Sequence, residues 1–249
     1  MSTEFKTDPK PDIVYVPPKL RNDRRSALLI FAGGGYGVLS DHEGSGYAEV
    51  FSSLGFHAFV CRYRVDPNQR GLHPAPLEDA LYAIAQVRDR ANECGFEKNR
   101  VGVIGSSAGG HLAAHLSTAW EEWGESYRPD WTILCYPVIA LYGPAAHAGS
   151  SLNLLGSEAG EDCLVSLSPQ NLVTPKTPPA FLWHTLEDQG VPAENSLLYA
   201  EALRRSGVPF EIHITEKGRH GLGVGSDFDW PGRVVEWVES TGRVKKLDN

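Results

Sequence analysis

The chain is poor in cysteine, with four in 249 residues, and Cys61, Cys94, Cys135 and Cys163 form neither a Cys-x-x-Cys pair nor a metal-binding spacing. They read as small buried hydrophobes with reduced thiols, and no metal site is expected. Positive charge is also short, 23 Lys+Arg against 31 Asp+Glu for a net charge of -8. That argues against a nucleic-acid surface, against docking to anionic lipid, and against a strongly anionic substrate. No apolar run reaches membrane-spanning length, and Met1 to Lys10 lacks the apolar core of a leader. The expectation is a cytoplasmic protein without a membrane partner. Internal repeats, low-complexity tracts and Met or aromatic stripes suited to a cofactor are missing too, so no cofactor is expected.

What is present is ordinary globular material, 41% hydrophobic, 10% aromatic and 22% charged. The length suits one α/β domain over residues 1–249, with a polar, Pro-rich N-terminal arm over residues 1–25. Apolar β-like runs alternate with helical patterns, which predicts a mostly parallel central sheet with helices on both faces. Strands are expected at Ile13 to Val16, Ala27 to Ala32, Phe56 to Tyr63, the run from Val101, Trp131 to Pro137, and Phe181 to His184. Phe210, Ile212 and Ile214 alternate with polar residues, predicting a last strand with one face less buried. Helices are expected over about Gly46 to Leu54, Pro76 to Gly95, Gly110 to Ala119, Ala193 to Arg205 with Gly207 as its stop, and Trp230 to Glu239. Over residues 138–178 the pattern fails in favour of Gly, Ser, Ala and Pro, and that stretch reads as a short cap or lid insertion above the sheet.

The most informative segment is Gly105-Ser106-Ser107-Ala108-Gly109, a Gly-x-Ser-x-Gly motif between an apolar run and a helical pattern. A serine on such a strand-to-helix turn is pushed outward, and small neighbours relieve the crowding. Ser107 is the candidate nucleophile; Ser106 is the off-centre rival. A serine hydroxyl needs a base and a group that orients the base, and in a sheet of this kind both follow it in the order Ser, Asp/Glu, His. The loop Thr185 to Pro192 carries adjacent carboxylates, of which Asp188 is the candidate and Glu187 the alternative. Beyond it stand only His213, inside an alternating strand, and His220, in the glycine-flanked loop Gly218-Arg219-His220-Gly221. His220 is the candidate general base. For the oxyanion of acyl transfer, the amides of Gly34 and Gly35 in the turn Gly33-Gly34-Gly35, with that of Ala108, are the candidate donors. A phosphate cradle is the competing reading of that turn, but no Gly-Lys-Ser/Thr follows it.

From about Ser26 to Val238 the chain resembles the α/β-hydrolase superfamily, and within it esterases related to hormone-sensitive lipase and bacterial acetyl xylan esterases. The resemblance rests on Gly33-Gly34-Gly35-Tyr36, Tyr63-Arg64, His73-Pro74-Ala75-Pro76 with Asp79, Gly105 to Ala113, His184-Thr185 with Asp188 and Val191-Pro192, and Gly218 to Gly221. The chain departs from both subgroups at Ala32, where the lipase pattern has His and the acetyl xylan esterases commonly have Pro. Asp79 and His111 are expected to be structural hydrogen-bonding groups, and Arg62 and Arg64 to pin a loop. What the resemblance implies is an α/β-hydrolase fold and a serine carboxylic ester hydrolase. Its expected substrates are short acyl esters, foremost O-acetyl esters of sugars such as xylo-oligosaccharides. A general short-chain carboxylesterase is the alternative. A peptidase of this fold usually carries a large extra domain, and a non-catalytic binding protein would be expected to lack a triad member.

Overall fold

The computed structural model describes residues 9–247; the first eight residues of the expected N-terminal arm lie outside the described residues. Seven strands form one sheet in the order β1-β3-β2-β4-β5-β6-β7. They are β1 (Asp12–Val16), β2 (Ala27–Phe31), β3 (His57–Arg62), β4 (Val101–Ser106), β5 (Trp131–Cys135), β6 (Ala180–Thr185) and β7 (Phe210–Thr215). β1 runs antiparallel to β3 and every other pairing is parallel.

Strands buried on both faces must alternate between two apolar layers, and these do. Leu29, Phe31, Val103, Leu134 and Leu182 face one layer; Leu28, Ile30, Ile104, Ile133 and Trp183 face the other. The first layer packs against α2 (Ala75–Asp89), α4 (Ser107–Ala119) and α7 (Glu194–Arg205); the second packs against α1 (Asp41–Ser53) and α8 (Trp230–Ser240). Two four- to eight-residue helices, α3 (Ala91–Cys94) and α5 (Ala148–Leu155), and the six-residue α6 (Glu161–Ser166) complete the set.

Strand order positions the site. From β2 the chain winds one way, to β3, which lies between β2 and the edge strand β1; it then returns to the other side of β2 to lay down β4 and continues outward through β7. Phe31 pairs with Gly105, so the loops leaving the carboxyl ends of β2 and β4 emerge side by side at the point where the winding direction reverses. The loops after β6 and β7 leave the same edge.

Several boundaries differ from expectation. α1 starts at Asp41, five residues before the expected Gly46, with an extended Ser40 ahead of it and Asp41 and Glu43 in its first turn. Glycines at 44 and 46 mask the helix in sequence, yet a Cβ on Gly44 would stand 3.4 Å from Val60, so close packing accounts for one of them. α4 starts at Ser107 instead of Gly110. The expected helix from Pro76 to Gly95 is interrupted at Arg90, and Gly95 ends it in the left-handed region at φ 93°. β5 stops at Cys135, two residues short of Pro137, because Tyr136 turns the chain with φ 36°. β7 is half-buried along its whole length, not on one face alone, which fits its place at the sheet edge. Of the cysteines, Cys61 and Cys135 are buried, whereas Cys94 and Cys163 are partly exposed; all four are free.

The stretch that showed no periodicity is held by side chains that replace regular backbone pairing. Asn195 Oδ1 accepts the amides of Ile139 at 2.8 Å and Ala140 at 3.0 Å, and Ser168 Oγ accepts that of Leu141 at 3.0 Å. Farther along, Asn153 Nδ2 donates to Gly35 O at 2.7 Å, which ties α5 to the glycine turn.

Candidate active site

Ser107 sits between β4 and α4 with φ 53°, a left-handed conformation that costs a non-glycine residue roughly 1 to 3 kcal/mol. The surrounding glycines make the bend possible. A Cβ on Gly105 would lie 2.1 Å from Gly109 O, and one on Gly109 would lie 2.1 Å from Phe31 O. No side chain fits at either point, so the helix can enter directly against the end of β2. A Cβ on Gly33 would come within 2.9 Å of Ser107 Cβ, which shows how closely the glycine turn approaches the serine.

His220 Nε2 is 2.9 Å from Ser107 Oγ, and His220 Nδ1 is 2.6 Å from Asp188 Oδ2. A carboxylate can only accept, so Nδ1 carries the proton and Nε2 is left to accept from the serine hydroxyl. The other carboxylate oxygen, Oδ1, accepts the amides of Gly190 at 2.9 Å and Val191 at 2.8 Å. Burial alone would raise the Asp188 pKa. The opposing hydrogen bonds from His184, His220 and the Val191 amide win, and the carboxyl is held well below the usual range. Gly190 leaves room for the ring, since a Cβ there would stand 3.2 Å from His220 Cβ and Cγ.

The rivals lie elsewhere. Glu187 accepts the Gly218 amide at 3.1 Å instead of a proton from His220. His213 pairs with Glu211 at 2.7 Å on β7. Ser106 is fully buried and donates to Tyr47 Oη at 2.8 Å. In the glycine turn, the Gly33 amide is taken by Glu43 Oε2 at 2.8 Å. Among the described residues the amides of Gly34, Gly35 and Ala108 have no protein acceptor, and both glycines are partly exposed while Ala108 is fully buried. Asp79 accepts the amide of Arg64 at 2.7 Å and its Nε at 3.0 Å, while Arg62 makes an exposed 3.9 Å pair with Asp12. His111 joins Tyr36 Oη at 2.7 Å to Leu167 O at 2.9 Å. Among the described residues no group of three His, Cys, Asp or Glu side chains could hold a metal.

The profile of the BD-FAE family matches residues 12–203, most of the chain. The chain belongs to the BD-FAE family. Its sheet, with the serine turn after β4, is the α/β-hydrolase fold. This BD-FAE chain is 37% identical over 219 residues to endo-1,4-beta-xylanase B of Butyrivibrio fibrisolvens, covering 84% of itself and 34% of that protein. It is 33% identical to an acetylxylan esterase of Xylanibacter ruminicola, over 94% of itself and 49% of that protein. The chain therefore spans about a third to a half of the length of these relatives. Among solved structures, the acetyl ester-xyloside bifunctional hydrolase from Caldicellulosiruptor lactoaceticus superposes with a TM-score of 0.85 at 42% identity, covering 94% of this chain and 89% of that one.

Sequence reasoning passed over several residues of this BD-FAE site. Glu43, Tyr47 and Tyr136 are distant in the chain, and only the fold brings them beneath the glycine turn. An acidic residue ten positions after Gly33 was the available signal for Glu43, but the helix expected from Gly46 leaves that residue in a loop. His147, from the aperiodic stretch, comes into electrostatic range of His220 and Asp188. Burial, and then His220, lower its pKa, against an opposing effect of Asp188.

Proposed function

We propose that the chain is a serine carboxylic ester hydrolase acting on short acyl esters, foremost O-acetyl groups on sugars. The observation that carries the chemistry is the continuous relay from Asp188 through His220 to the strained Ser107. Ser107 Oγ attacks the ester carbonyl carbon as His220 Nε2 takes its proton. The charge that develops on the carbonyl oxygen is met by the amides of Gly34, Gly35 and Ala108. Collapse of the tetrahedral intermediate breaks the bond to the alcohol, which leaves with the proton from His220. Water then adds to the acyl-serine with His220 as base, and collapse returns the free serine and a carboxylic acid. Asp188, held ionised, fixes the tautomer and stabilises the imidazolium formed in each half-reaction.

The sugar-acetyl reading is supported by the kinds of protein this chain is similar to, an acetylxylan esterase and an acetyl ester-xyloside hydrolase. Its test is hydrolysis of acetyl, butyryl and longer p-nitrophenyl esters beside acetylated xylo-oligosaccharides. The expected result is preference for acetyl and release of acetate from the oligosaccharides. Activity confined to simple esters would favour the general carboxylesterase. Ser107→Ala should remove at least roughly 1,000-fold of kcat and all labelling by a fluorophosphonate, because Ser107 Oγ is the hydroxyl that meets His220 Nε2. Retained p-nitrophenyl acetate turnover in that variant would overturn the assignment.

A further inference from the structure

A run of buried polar groups joins elements that the proposed reaction needs to keep in register. Glu43, in the first turn of α1, is 3% exposed. Its Oε2 accepts the Gly33 amide at 2.8 Å and its Oε1 accepts Tyr136 Oη at 2.7 Å. No Lys or Arg pairs with it among the described residues; His42 Nε2 lies 3.9 Å from Oε1 and also 3.0 Å from Gly221 O. Tyr136 Oη accepts the Gly223 amide at 2.9 Å, and its ring stands edge-on to His220 at 5.2 Å between centroids. Tyr47 Oη is 3.1 Å from Tyr136 Oη and accepts Ser106 Oγ at 2.8 Å.

The direction of every bond follows from the donors and acceptors available. Burial pushes both phenols well above their usual pKa, so each keeps its proton. The Gly33 and Gly223 amides can only donate, and a carboxylate can only accept. Ser106 therefore donates to Tyr47, Tyr47 to Tyr136, and Tyr136 to Glu43, where the chain meets the Gly33 donor arriving from the opposite side. A buried carboxylate with no guanidinium or ammonium partner is expensive before compensation. What it provides here is one acceptor-only group between two loops. With its Gly33 amide engaged below, the glycine turn is left with Gly34 and Gly35 free above; with Tyr136 fixed, the loop carrying His220 is held through Gly223.

We infer that Glu43 is a positioning residue for ester hydrolysis, its carboxylate setting the oxyanion turn and the His220 loop in a single frame through Gly33 and Tyr136. This rests on the hydrolase reading proposed above. The Glu43→Gln side chain keeps one acceptor but turns an NH2 toward Tyr136, whose oxygen already receives Gly223 and Tyr47. The Tyr136 proton then has no acceptor, and the chain must reverse or break.

The test compares wild type, Glu43→Gln, Tyr136→Phe and their double variant on p-nitrophenyl acetate, with rates expressed per serine titrated by a fluorophosphonate. Expected for each single variant is a fall in kcat of roughly 10- to 100-fold with KM changed by less than about threefold, and a double variant little worse than the worse single. Retention of kcat per titrated serine within about twofold would overturn the inference, as would independent, multiplying losses. If Glu43→Gln fails to fold, Tyr136→Phe and Tyr47→Phe, each deleting one hydroxyl, decide by the same kcat criterion. Unfolding of all three would make the network a folding determinant and equally overturn it. A wild type with no esterase turnover defeats the functional proposal itself, an outcome distinct from an active wild type matched by its Glu43 variant.

Discussion

The chemistry at Asp188 depends on which atoms can donate. Its Oδ1 is committed to the amides of Gly190 and Val191, so in Asp188→Asn the side-chain oxygen would stay on those donors and the NH2 would face His220 Nδ1. The imidazole must then carry its proton on Nε2, the wrong tautomer to accept from Ser107. A fall in kcat on the order of 10,000-fold at neutral pH is expected for this variant, with little change in KM, and steady-state kinetics with p-nitrophenyl acetate would check it. A neighbouring glycine makes a steric counterpart. Gly190→Ala puts a methyl 3.2 Å from the His220 ring, displacing it from Ser107 while leaving the chemical groups intact. About a tenfold loss of kcat is expected, partly because a misplacement of under 1 Å is costly at reacting centres.

At the level of elements, the decisive contact is α4 against the ends of β2 and β4. Gly109 faces Phe31 O and Ala32 O at distances where no Cβ fits, 2.1 and 2.5 Å, and both opposing atoms are backbone. Gly109→Ala must therefore move the helix or the strand, with an expected destabilisation of roughly 3 kcal/mol or more, since overpacking against immovable atoms has no cheap relaxation. Urea denaturation measures this; wild-type stability in the variant would mean that the helix docks otherwise. The Gly-x-Ser-x-Gly spacing was legible in sequence because it serves a local bend. The start of α1 was not, because Gly44 and Gly46 lower helix propensity and the compensation at Gly44 comes from packing against Val60 of β3 and Ala32 just after β2.

For the whole molecule, the histidines packed on α4 set the response to acid. Burial lowers the His111 pKa from 6.5 to about 4, against the hydrogen bond to Leu167 O and with a smaller contribution from His73. His115 lies well below 6.5, through burial, His111 and His73. Between the unfolded and folded pKa values the unfolded chain binds more protons, so stability falls as the pH drops from about 6.5 to about 4, by about 3 kcal/mol from His111 alone. Asp188 has the depressed pKa of a carboxylate, and its contribution is lost at still lower pH, from about 4 downward. Unfolding midpoints measured across this range should show the slope. His111→Gln, which can still accept from Tyr36 and donate to Leu167, should flatten its upper part; an unchanged slope would show that His111 stays neutral without cost.

The alternating strands and helices, the serine turn, the acid loop after β6 and the histidine loop after β7 could all be read from the chain, because each is encoded by neighbours a few residues apart. Periodicity, glycine placement and chain order are local properties. The ordering of strands about β2 and β4, the folding of residues 138–178 around Asn195 and Ser168, and the meeting of Glu43, Tyr47, Ser106 and Tyr136 were decided only in three dimensions. The last two depend on single hydrogen bonds between residues 27 to 93 positions apart, from Leu141 with Ser168 to Glu43 with Tyr136. Such pairs leave no period in the sequence, since each exists only once the sheet has brought its two ends together.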